Sequence, residues 1–133
     1  MPRENEDVVR LWFEGFNENG MPALEVCDER LEIGNVEGFP IQGPYHGHEG
    51  VREWTRDLFE VLDEARLEVI EVIEAGVGET VMSVQRIVAR MRHTRLPAKL
   101  RWAGVWTIHD GKAVRVQGYA TRREALVAAG LGE

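Results

Sequence analysis

The stretch "GVWTIHDGKAVRVQGYATRREAL", Gly104 to Leu126, decides how the chain is read. β-Branched and aromatic residues alternate on both sides of Asp110-Gly111. That dipeptide favours a two-residue hairpin turn, because both of its positions tolerate a positive φ. Two antiparallel strands joined by a tight turn follow. Thr121-Arg122-Arg123-Glu124 then forms a capping box, in which the Thr hydroxyl and the Glu carboxylate each satisfy an orphan backbone amide. The second strand therefore runs into a short helix, with Gly130 placed for its stop.

Moving toward the N-terminus, "KLRWAGVWTI" extends the first of these strands back to Lys99. "TVMSVQRIVARMR" and "RLEVIEVIEA" read as two further strands, rich in β-branched residues, and Arg95 to Ala98 with Pro97 as the turn between hairpin arms. Before them the period changes from two to 3.6. Val51, Trp54, Leu58, Val61 and Leu62 mark one face of a helix, and Val8, Leu11, Trp12, Gly15 and Phe16 mark another. Asn5 can cap the first helix and Asn19-Gly20 can end it. Pro22 suits the first turn of a short second helix through Ala23, Leu24 and Cys27. Arg30 to Asn35 reads as a strand, and Gly38 to Pro44 as a loop. The order is helix, helix, strand, helix, four long strands, helix. It predicts an α+β domain with the helices gathered on one face of a mostly antiparallel, strongly curved sheet. Such a sheet makes a cone-shaped domain with an apolar interior.

At 133 residues the chain reads as a single domain, 1–133. A chain of this size buries roughly 65–70% of its unfolded surface and needs no disulfide or structural metal. The one cysteine, Cys27, excludes an internal disulfide and reads as a small buried hydrophobe. The charged start "MPRENEDVVR" lacks the apolar core of a signal peptide, and no apolar run is long enough to span a bilayer. The expectation is a cytoplasmic protein without membrane contact. A net charge of −7 argues against nucleic acid as a partner. Yet no acidic residue lies between Glu79 and Asp110, where Arg86, Arg90, Arg92, Arg95, Lys99 and Arg101 cluster. That strip reads either as a solvated strand face and hairpin tip, or as an anion-binding edge with one inward arginine.

"GPYHGHEGVREW", Gly43 to Trp54, brings His46, His48 and Glu49 within four residues. A metal site needs a third and usually a fourth ligand in defined geometry. His93 and His109 belong to hairpin turns with no reason to converge, so neither metal nor cofactor is expected. The stretch reads as a helix start. Gly47 gives the backbone entry, Glu49 favours the positive end of the helix dipole and Trp54 faces the core.

These elements together resemble the nuclear-transport-factor-2-like superfamily, and within it the SnoaL-like and ketosteroid-isomerase-like proteins. "FNENG" before "MPALEV", then "YHGHEGVREW", then "GVWTIHDGKAVRVQGYATRREAL" carry the resemblance over nearly the whole chain. It implies a pocket inside the cone and a homodimer through the outer sheet face, where Thr107, Arg115, Gln117 and Tyr119 fall. The steroid isomerases use an aspartate base, a tyrosine and a protonated aspartic acid, a system that also serves as a general example of pKa tuning. The resemblance places Trp12, Ile33 and Gly104 at those three positions, and strand alternation turns Glu32 away from Ile33. Enolising chemistry of that type is therefore not expected, and no catalytic residue is assigned.

Alternation puts Trp102, Gly104, Trp106 and Ile108 on one face of a strand, and Val114, Val116, Gly118 and Ala120 on one face of the next. The small residues leave space that aromatics could border. The expected ligand-binding pocket is Trp12, Phe16, Trp54, Arg86, Trp102, Gly104, Trp106 and Gly118. The competing reading is that the aromatics fill the core. Gln85 and Arg86 are adjacent, so only one of them points inward, and an inward Arg86 would meet a ligand carboxylate or enolate. The expected function is the binding of a small apolar or cyclic ligand in a hydrophobic pocket, with an isomerase, cyclase or hydratase reaction as one form of it. A non-catalytic binding or protein-interaction module is the alternative.

Overall fold

The structure, a computed structural model, describes residues 4–75 and 79–132. The first three residues of the charged N-terminal stretch lie outside it.

Helix α1 (Asn5–Asn19) begins the fold. Its apolar face, Val8, Val9, Trp12, Phe13 and Phe16, is buried, and Gly20 ends it in the left-handed region at φ 78. Asn5 is the first helical residue and not the cap. Glu4 takes the cap position, without a side-chain bond. The expected second helix is a single 3₁₀ turn, Leu24–Val26, because the chain extends into β1 (Cys27–Gly34) at Cys27. β2 (Tyr45–His46) pairs antiparallel with β1, and helix α2 (Gly47–Val61) follows directly.

β3 (Leu62–Glu74) starts where α2 stops, with no loop between them. Leu62, four residues after Leu58, fits the helical period but belongs to the strand. β4 (Thr80–Met91), β5 (Pro97–His109) and β6 (Lys112–Tyr119) complete a six-stranded sheet in the order β2-β1-β6-β5-β4-β3. Pro97 opens β5 and does not lie in the turn, a position that costs the ladder no essential donor. The β5–β6 turn is the expected one. His109 pairs with Lys112, and Asp110 (φ 50) and Gly111 (φ 76) both sit at positive φ. β1 runs parallel to β6, the one parallel pairing among the described residues.

Two register shifts in β3, between Asp63 and Arg66 and between Val69 and Glu71, bend the strand and increase its twist. Asn17 fastens α1 to this bent strand. Its side-chain amide donates to the Leu67 carbonyl (2.7 Å) and accepts from the Leu67 N–H (2.8 Å), imitating a ladder partner. α1 and α2 thus close one face of the sheet over the main core. Helix α3 (Arg122–Ala128) packs on the other face, over Met82, Val84 and Ala103. Thr121 caps it by accepting from the Glu124 N–H (3.1 Å), and Arg122 grips Glu71 of β3 at 2.6 Å.

Candidate functional site: the aromatic mouth of the cone

Strand parity decides which side chains enter the cone. On β4 it sends Val81, Ser83, Gln85 and Ile87 inward and Met82, Val84, Arg86 and Arg90 outward. β5 contributes Trp102 and Trp106, β6 contributes Val116 and Gly118, and β1 contributes Ile33. α1 adds Trp12 and Phe13, α2 adds Trp54, and the loop after β1 adds Asn35 and Phe39. Together with Leu67 and Gln85 these surround a cavity of ≈ 30 Å³. That is room for about one water molecule, so the aromatics fill most of the cone. Trp12 and Phe13 meet the Trp106 ring edge-on, with centroids 5.0 and 5.8 Å away. Phe39 meets Trp102 the same way at 5.0 Å, so the loop residue and the half-buried indole close the mouth between them.

The polar groups inside are few and neutral. The Trp106 indole N–H donates to the Ser83 hydroxyl (2.8 Å), which donates to the Gln85 side-chain carbonyl (2.7 Å). The Trp54 N–H donates to the Asn35 Oδ1 at 3.3 Å, while Asn35 Nδ2 donates to the carbonyls of Ile41 and Gln42. Asn35 therefore ties the mouth loop to itself and to α2. No residue lining the cavity carries a titratable group.

Five of the expected pocket residues, Trp12, Trp54, Trp102, Trp106 and Gly118, line this cavity. Three do not. Arg86 points to the outer face and bonds Glu68 on β3 at 2.7 Å, leaving Gln85 (2% exposed) as the inward member of the pair. Phe16 lies deeper, stacked on Phe59 at 5.6 Å and edge-on to Trp54 at 6.0 Å. Gly104 faces inward, but its space is already taken. A Cβ there would lie 3.2 Å from the Trp106 indole nitrogen and 3.4 Å from the Ser83 hydroxyl. Gly118 lines the cavity without leaving it room, because a Cβ would come within 2.9 Å of the Val36 backbone nitrogen. Its smallness admits the crossing mouth loop. Phe13, Asn35, Phe39 and Leu67 were missed in the sequence. Phe13 sits one residue off the helical stripe, and a loop has no period to reveal Asn35 or Phe39.

The other candidates take structural places. Glu32 turns away from the cavity while its neighbour Ile33 lines it. Gly47 adopts φ 66, and a Cβ would meet the Glu29 carbonyl at 2.9 Å. The His48 ring contacts the Cys27 carbonyl through Nε2 at 2.7 Å. His109 pairs with Glu79 at 3.0 Å, and that hydrogen bond, with the charge of Asp110, raises its pKa. Cys27 is buried, which pushes its thiol up to about 12 and keeps it unreactive. Burial, reinforced by the bond to Asp57, likewise lifts Tyr45 to about 12. Among the described residues no group of three or more His, Cys, Asp or Glu could hold a metal ion. Among the same residues no helix is long and apolar enough to cross a membrane. Most of the basic strip is paired, with Arg86 meeting Glu68, Arg90 meeting Glu64, Arg92 meeting Asp63, and Arg95 meeting both Asp63 and Glu64.

A curved, mostly antiparallel sheet closed by two helices around an aromatic interior defines an NTF2-like domain. Within that class the chain belongs to the SnoaL-like domain family, whose sequence pattern matches residues 9–116. Among curated proteins, none matches the chain by sequence. Solved structures match along almost all of it. An NTF2-like protein from Burkholderia thailandensis E264 is 25% identical, with 97% of each chain covered and a TM-score of 0.76. Another from Burkholderia pseudomallei K96243 is 23% identical, covering 94% of this chain and 97% of that one, also at 0.76. A candidate polyketide cyclase from Xanthomonas campestris pv. campestris shares the fold at 15% identity and a TM-score of 0.70, covering 94% and 96%.

Proposed function

We propose that this chain binds a small, flat or cyclic, largely apolar molecule at the mouth of the cone and does so without proton transfer. One observation carries the reading. Four indoles and Phe39 converge on one cavity whose polar lining consists of two carboxamides, Asn35 and Gln85. Apolar walls with one or two placed polar groups are what small-molecule sites require. General acid–base catalysis needs a titratable group within hydrogen-bond reach of the reacting proton, and none lines this cavity. The ≈ 30 Å³ cavity describes the closed form, so a ligand enters by displacing Phe39 and the half-buried Trp102.

The test is titration with bicyclic and tricyclic aromatics, read by quenching of indole fluorescence, followed by mass analysis of the recovered ligand. Saturable quenching with the ligand unchanged after prolonged incubation is the expected result. Conversion of the ligand would favour an isomerase, cyclase or hydratase. Absence of any binding would favour a filled cone whose function lies on its surface. The small cavity supports that second reading.

We further propose a cytoplasmic homodimer through the part of the outer sheet face that α3 leaves uncovered. Ile70 of β3 is 44% exposed, and Thr107 of β5 and Gln117 of β6 are half-buried. Light scattering on the purified protein distinguishes a dimer from a monomer.

A further inference from the structure

The inward face of β4 holds an amide whose two ends are treated differently. Gln85 is 2% exposed, and its Oε1 accepts the Ser83 hydroxyl proton at 2.7 Å. The Ser83 oxygen accepts the Trp106 N–H at 2.8 Å and has one proton of its own to give; it goes to Oε1, and a reversed amide would leave that proton without an acceptor. The relay therefore fixes the orientation of the carboxamide. Among the described residues its Nε2 finds no acceptor, yet none of their fully buried side-chain N or O atoms lacks a partner. Nε2 must then face the open volume that Gln85 lines. Gly104 sits beside the relay, where a Cβ would press on the Trp106 indole nitrogen at 3.2 Å.

We infer that Gln85 is the specificity-determining residue of the cavity, held by the Trp106–Ser83 relay as a hydrogen-bond donor, so that the ligand presents an oxygen acceptor, a ring carbonyl or an ether, at its buried end. This rests on the binding function proposed above and adds the sign of the polar contact. Asn35 cannot supply the same donor. Its Nδ2 is committed to the carbonyls of Ile41 and Gln42, and its Oδ1 to the Trp54 indole. A ligand group that can only donate, such as an ammonium or a pyrrole-type N–H, would face another donor at Nε2, and a hydrocarbon would leave Nε2 unpaired.

The experiment compares 1-indanone, which carries one ring carbonyl, with indane, which has the same rings without it. Affinity and the side-chain amide NMR resonances of Gln85 are read together. 1-Indanone should bind about tenfold tighter than indane, the worth of one buried neutral hydrogen bond, and should shift the Gln85 resonances while indane does not. Gln85→Leu should level the two affinities by weakening 1-indanone alone. Ser83→Ala, which frees the amide to rotate, should reduce the preference without abolishing indane binding. If Gln85→Leu folds poorly, Ser83→Ala/Gln85→Leu removes the stranded hydroxyl as well and is read in its place. Equal binding of both probes to the wild type, unaltered by the substitutions, overturns the inference and leaves the cavity reading standing. Failure of both probes to bind overturns the two together.

Discussion

β4 presents two faces that share a backbone and differ in every other respect. Toward the cone, Val81, Ser83, Gln85 and Ile87 are buried and uncharged, and the Ser83 hydroxyl and Gln85 Oε1 join one relay with Trp106. Toward the outside, Arg86 and Arg90 answer Glu68 and Glu64 on β3, at distances of 2.7 and 3.2 Å. The difference shows where the fold accepts charge. Removing an ion from water is costly unless it is paired, whereas a neutral amide is buried cheaply once bonded. An interior kept neutral in this way suits recognition of an apolar ring better than proton chemistry.

Substitutions that break the contrast rank by how deeply they reach into it. Trp106→Ala should cost about 3–5 kcal/mol in urea unfolding, since it opens a cavity beside Trp12 and Phe13 and removes the N–H that the Ser83 hydroxyl accepts. Gln85→Glu puts an ionisable group on the neutral face. Burial raises its folded pKa above the unfolded value of about 4.3, so the variant should come closest to wild-type stability below that pH. As pH rises through the folded pKa its stability should fall, by about 2–4 kcal/mol near pH 8. Gly118→Ala should cost about 1–3 kcal/mol, because the backbone at Val36 has to move. On the outer face, Arg86→Ala should cost less than about 1 kcal/mol, and the loss should shrink further in high salt.

The smallest effect sharpens the outer face by pH. The hydrogen bond from Arg95, with that from the Glu64 backbone, holds Asp63 below the usual carboxylate range. A lowered folded pKa contributes stability that is present above the unfolded pKa and lost as pH falls through the folded one. Asp63→Asn should therefore lower the melting temperature slightly at neutral pH and converge with the wild type toward pH 2, which flattens the acid limb between about pH 5 and pH 2.

Much of the fold was readable because local chemistry fixed it. Asp110-Gly111 formed the two-residue turn, Thr121 and Glu124 formed the cap, and the alternation on β5 placed Trp102 and Trp106 correctly. The parity of β4 was not readable, for a physical reason. α3 covers Met82 and Val84 from outside while the core covers Val81, Ser83 and Gln85 from inside, so five consecutive residues are buried and the alternation disappears. Nothing local then distinguishes an inward Arg86 from an inward Gln85. The pairing partner of Arg86 lies 18 residues earlier, on a strand whose bulges shift the register. The parallel β1–β6 pairing was hidden because it joins residues as far apart in sequence as Ile33 and Val116. The mouth was hidden because Phe39 and Asn35 sit on a loop, where position follows from tertiary bonds such as Asn35 to Ile41.

The most direct test of a neutral, ligand-accepting cone is a crystal structure of the protein soaked with 1-indanone. The predicted result is the ring held between Trp54 and Trp102, with Phe39 displaced and the carbonyl oxygen within hydrogen-bond reach of Gln85 Nε2. A cone that stays closed over its aromatic side chains, with the soaked molecule absent or bound only on the outer face, would contradict the account.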